Sequence, residues 1–95
     1  MTERREITLT VGDADFQFTV DAADVTKYFN SITQTSKVAP ATNLLSNTVH
    51  QDQRATLKGL LKNPVLAMQL AGALLEEYSP DVEINVKKPS PTLND

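Results

Sequence analysis

Residues 6–11 alternate in character, with Ile7, Leu9 and Val11 on one face and Thr8 and Thr10 on the other, the period of a half-buried strand. Phe16, Phe18 and Val20 repeat that alternation. Between the two runs lie Gly12, Asp13, Ala14 and Asp15, rich in residues that turns favour. The pair predicts a β-hairpin. The period then lengthens: Val25, Tyr28, Phe29 and Ile32 fall at i, i+3, i+4 and i+7, which predicts an amphipathic helix of about three turns. Asp21 stands where its N-cap belongs, and Asp24 favours the first turn. Residues 31–37 are polar and rich in Ser and Thr, and read as a loop.

Pro40 is tolerated in a first helical turn and opens a second helical segment, with Leu44, Leu45 and Val49 as its apolar edge. A third segment, over about residues 51–62, carries Leu57, Leu60 and Leu61 on one side. Asn63 and Pro64 then mark a restart, as N-cap and first helical residue. This last helix ends near Tyr78, because Ser79-Pro80 forbids its continuation. Val82, Ile84 and Val86 alternate once more as a final strand, and residues 89–95 read as a polar, disordered tail. A lone hairpin is marginal in water. The expected fold is therefore α+β: an N-terminal β-hairpin, three to four helices, and a C-terminal strand completing a small three-stranded antiparallel or mixed sheet, in one domain over residues 1–88.

The last helix is unusual. From Pro64 to Leu75 it has no charged residue, and Gln69 is its one polar side chain. At about 100° per residue, Val65, Leu66, Met68, Leu70, Leu74, Leu75 and Tyr78 cover roughly 260° of the circumference, where an ordinary surface helix needs little more than 100°. The excess must be covered by this fold, a second copy or a partner. Met68, Ala71, Leu75 and Tyr78 form one stripe, expected to pack on the sheet. Leu66, Leu70 and Leu74 form another, expected to serve a partner or self-association surface. Glu77, with Glu76, either gives that surface an acidic rim or keeps a greasy helix soluble.

Gly72 and Gly59 sit inside helices, at a cost of about 1 kcal/mol each relative to alanine. The plainer reading is close packing within the fold, with Ala71 and Ala73 adding a small-residue patch. The sharper one is that Gly72 marks the approach of a partner helix.

The 95 residues carry a net charge of −3 with the two signs interspersed. The basic pairs Arg4-Arg5 and Lys87-Lys88 lie near opposite ends and make no stripe of the kind nucleic-acid binders show. There is no cysteine, which excludes disulfides, thiolate metal sites and a cysteine nucleophile. The opening segment lacks the apolar core of a signal peptide, and the run from Pro64 is too short to span a bilayer. A cytoplasmic protein is expected.

Ser46, His50 and Asp52 are the residue types of a hydrolytic triad, but they lie within seven positions and have no glycine elbow; they read as a solvated helix face. Asp13 and Asp15 lack the further oxygen ligands of a calcium loop, and His50, the sole histidine, excludes a structural zinc site. No cofactor or metal is expected, and no enzyme activity. The alternative to a protein-binding role is a small regulator reading DNA through a helix-turn-helix-like segment over residues 40–62, with Gln51, Gln53, Arg54 and Lys58 available for contacts.

From Asn43 onward the chain resembles the small phage tail assembly chaperones. The matching positions are Asn43-Leu44-Leu45, Thr48-Val49, Leu57, Leu60-Leu61, Asn63-Pro64, Ala71 and the run from Glu76 to Lys88, and the strand pair before the helices is also similar. The resemblance implies a non-enzymatic protein of the bacterial host cytoplasm, absent from the mature virion, that keeps the long tape-measure protein soluble while the tail tube assembles. Tail-tube subunits and a second copy are further candidate partners, and a longer frameshifted form exists in some members. Neither nucleic acid nor membrane is an expected partner. A long, helical client calls for an apolar face that receives amphipathic helices.

Overall fold

The computed structural model describes residues 4–79. Strands β1 (Arg4–Val11) and β2 (Ala14–Asp21) pair antiparallel, with Ile7 opposite Phe18 and Leu9 opposite Phe16. Gly12 has φ +62° at the first central position of the two-residue turn, and among the described residues no non-glycine takes a positive φ. That is the backbone of a hairpin turn with glycine leading, whose twist matches the strands it joins. The alternation works as expected: Ile7, Phe16, Phe18 and Val20 are buried, Leu9 and Val11 pack on the core, and the threonines face outward.

Helix α1 (Ala22–Ser31) begins at a reciprocal cap. The Asp24 N–H donates to the Asp21 carboxylate at 2.9 Å, and the Asp21 N–H donates to the Asp24 carboxylate at 3.0 Å. The two acids respond in opposite ways. The Asp24 backbone N–H stabilises the charged form of Asp21 and lowers its pKa, whereas partial burial raises that of Asp24, with the Asp21 charge adding to the rise.

On α1 the apolar stripe is narrower than its spacing predicts. Tyr28 is buried and Val25 and Ile32 lean on the core, but Phe29 is 58% exposed, its ring tilted against Tyr28 with centroids 5.3 Å apart.

Helix α2 (Val38–Thr48) starts two residues before Pro40 and buries Pro40, Ala41, Leu44 and Leu45. Val49, its C-cap, forms an antiparallel bridge to Phe18. The expected third segment divides into a 3-10 turn, Gln51–Gln53, and helix α3 (Arg54–Leu60). The 3-10 turn secures the outer edge of β2. The His50 N–H donates to the Gln17 carbonyl at 2.7 Å, the Gln17 N–H donates to Gln53 Oε1 at 2.8 Å, and Gln53 Nε2 donates to the Asp15 carbonyl at 2.6 Å. One side-chain amide thus plays the part of a neighbouring strand's peptide group.

Helix α4 (Pro64–Tyr78) packs on α2 and β1. The core joins the inner face of the hairpin to α2, Leu57 and Leu61, and one side of α4. This is an α+β arrangement, and among the described residues the sheet has two strands. The strand expected over residues 82–86 and the tail over 89–95 lie outside the described residues.

The Ser46 hydroxyl is buried in α2 without a hydrogen-bond partner. A buried, unsatisfied hydroxyl is destabilising, and alanine is the better helix former. Ser46→Ala is therefore expected to stabilise the protein by about 1 kcal/mol, read as a rise of roughly 4–8 °C in the thermal midpoint. A lower midpoint would show that the hydroxyl is bonded.

Candidate partner-binding face

The start of α4 follows from two residues. The Asn63 side chain accepts from the Val65 and Leu66 N–H groups at 3.0 and 3.3 Å, and Pro64 occupies the first helical position. At the other end the Ser79 N–H and hydroxyl both donate to the Leu75 carbonyl at 3.1 Å, and Arg5 Nη1 donates to the Glu77 carbonyl at 3.3 Å. The helix is fixed at both termini, so the direction in which each side chain points is set.

Leu70, Leu74, Ala67 and Ala71 are buried. They span about 100° of the circumference at 100° per residue, the width of one ordinary packed face. Leu66, Leu75 and Tyr78 are partly buried beside it. Val65 is 63% exposed and Met68 37% exposed, and Gln69, Gly72, Glu76 and Glu77 are exposed as well. Among the described residues the fold therefore covers one face of the greasy helix and leaves Val65 and Met68 outside it.

This corrects the division into stripes. Leu70 and Leu74, expected at a partner surface, are core residues here; Leu66 is half-covered and Glu77 faces solvent. Met68, expected against the sheet, points out, while its companion Ala71 is buried. The physical reason is size. Ala67 and Ala71 let α4 settle closely on its neighbours, with Leu70 and Leu74 filling the space on one side of them. The outward group has a signal of its own in the sequence: Val65, Met68, Gly72 and Leu75 follow a 3-4-3 spacing and share an arc of about 80°.

The other candidate constellations resolve simply. The Asp52 N–H donates to His50 Nδ1 at 3.4 Å, with the Asp52 carboxylate 3.8 Å from the same nitrogen, while the Ser46 hydroxyl is shut inside the fold. A buried hydroxyl cannot reach a substrate, so the three residues do not make a triad. Asp15 accepts from the Thr10 hydroxyl at 2.7 Å, a strand-end contact. Among the described residues no cluster of His, Asp or Glu could hold a metal ion, and no helix is long and apolar enough to cross a membrane.

Of the residues available for DNA, Gln53 is bonded to β2 and Arg54 Nε donates to the Ser46 carbonyl at 2.9 Å. An open polar cleft of about 480 Å³ lies between α1 and α2, lined by Asp24, Lys27, Tyr28, Asn43 and Asn47 among others. It has hydrogen-bonding groups but pairs no nucleophile with a base.

Comparison with known proteins agrees with an interaction module. No solved structure matches. A protein of Haemophilus phage HP1 (strain HP1c1), described as an uncharacterized 11.3 kDa protein in the lys 3′ region, is 35% identical over 81 residues, covering 85% of this chain and 79% of its own length. The family model for phage tail assembly chaperones matches residues 7–88. With nearly the whole chain inside that match, the chain belongs to the phage tail assembly chaperone family.

Proposed function

We propose that this protein binds the tape-measure protein in the host cytoplasm and keeps it soluble until tail-tube subunits enclose it, remaining outside the finished particle. Membership of the family implies a non-enzymatic role with protein partners in tail assembly. The observation that carries the finer reading is the outward apolar part of α4: Val65 and Met68, with Leu75 at its margin and Glu76 on its acidic border. A soluble domain gains nothing for its own stability from side chains left in water. A client helix laid along them removes that surface from water, at about 25 cal/mol per Å² of apolar area.

The test is co-expression with the tape-measure protein of the same phage. The wild-type chain is expected to hold the tape-measure protein in the soluble fraction and to co-purify with it. The Val65→Asp/Met68→Asp variant is expected to melt close to wild type and to lose both properties. Undiminished solubilisation by that folded variant would remove α4 from the contact, and a wild-type chain that retains no tape-measure protein would end the reading altogether.

A further inference from the structure

The geometry points to Gly72 as the socket of this surface, the place where a large apolar side chain of one antiparallel tape-measure helix seats against α4. The inference rests on the tape-measure reading above and adds the residue that selects the client helix and the direction in which that helix lies. Gly72 is exposed, and a Cβ built on it meets none of the described residues within 4 Å. Its φ is not in the left-handed region, so among the described residues neither backbone conformation nor packing calls for glycine. Yet glycine is the poorest helix former after proline. A docked helix would give the missing side chain a use.

Gly72 stands in the middle of the 3-4-3 row, with Met68 one turn before it and Leu75 one turn after. In helix pairs built on such a row, each side chain of one helix enters a hole between four residues of the other. A hole whose central residue lacks a side chain is deep, and it admits a Leu, Met or Phe while bringing the two axes close.

Charge sets the direction. Glu76 and Glu77 are the only charged residues of α4, and both lie at its C-terminal end, where the helix carbonyls are already negative. Arg5 answers there only at the Glu77 carbonyl, and among the described residues Glu76 has no salt-bridge partner. An antiparallel client brings its positive N-terminal end, and a Lys or Arg beside it, to Glu76.

The experiment uses the full chain and the co-expressed tape-measure protein, with apparent affinity read from titrated pull-downs and folding from thermal melts. Gly72→Leu is expected to melt at or above the wild-type temperature and to bind about tenfold more weakly or worse, since filling a fitted hole forces the partner away. Gly72→Ala, whose Cβ enters open space, is expected to melt higher and to bind with intermediate strength. Glu76→Lys is expected to weaken binding and flatten its dependence on salt.

Wild-type affinity in Gly72→Leu, alongside lost binding in Val65→Asp/Met68→Asp, would overturn the socket and leave the function reading standing. A lowered melting point in Gly72→Ala would overturn it too, by showing that the glycine serves the fold. Unchanged binding and salt dependence in Glu76→Lys would overturn the antiparallel placement. Failure of the wild-type chain to retain the tape-measure protein would overturn both readings.

Discussion

Leu74→Asp is expected to unfold the domain, although the same change at Val65, in the same helix, is expected to leave it folded. Leu74 is fully buried in the core that joins α4 to the rest of the chain. Truncating a buried leucine to alanine already costs about 2–5 kcal/mol. An aspartate adds the penalty of a carboxyl group with no partner in an apolar site. Whole domains of this size are stable by only about 5–15 kcal/mol, so one such change consumes most or all of the margin.

Val65 is different in both respects. Its side chain lies largely in water, and it belongs to the first turn of α4, where a negative charge interacts favourably with the positive end of the helix dipole. Circular dichroism melts of the two variants measure the contrast. A cooperative, wild-type-like transition for Leu74→Asp would mean that this side of α4 is not packed as described. Leu70→Asp is expected to follow Leu74→Asp, so a loss of client solubilisation in that variant would report unfolding and not a missing contact.

Phe18→Ala is expected to cost about 3–5 kcal/mol, the range for emptying a large aromatic site in a core. Phe18 sits in the middle of β2, opposite Ile7 and bridged to Val49, with 1% of its surface exposed. The hole it leaves lies where the hairpin meets the end of α2, and an isolated hairpin has little stability of its own. Phe29→Ala provides the control. That ring is mostly in water, and the change is expected to cost about 0.5 kcal/mol or less. Urea titrations of the two variants give the comparison through their midpoints. Equal losses would contradict the inward and outward placement of these two phenylalanines.

The elements legible in the sequence are those whose cause is local. Asp21 with Asp24, Asn63 with Pro64, and Gly12 between two alternating runs each specify a cap or a turn from residues a few positions apart, and each is found where it is expected. What local pattern cannot specify is orientation when more than one face is apolar. On α1, Phe29 has the right spacing to be buried, but Tyr28 and Val25 suffice to fill the available surface. On α4 the two leucine-bearing sides look alike in spacing. The choice between them is made by distant neighbours in α2 and β1, and by the closeness that Ala67 and Ala71 permit.

The Gln53 contact was illegible for a related reason. Its partners Asp15 and Gln17 lie 38 and 36 positions away, and no periodicity encodes a side chain that imitates a backbone.

That imitation bears on how the protein avoids unselective pairing. Exposed strand edges recruit other strands without regard to sequence, the route by which sheets aggregate. On the free edge of β2 the Asp15 carbonyl and both backbone groups of Gln17 are already engaged, by Gln53 and His50. A chaperone works among crowded, half-folded chains, and indiscriminate cross-strand pairing there would poison it. By closing this stretch of edge with its own amide, the chain withholds there backbone groups that would pair without selectivity.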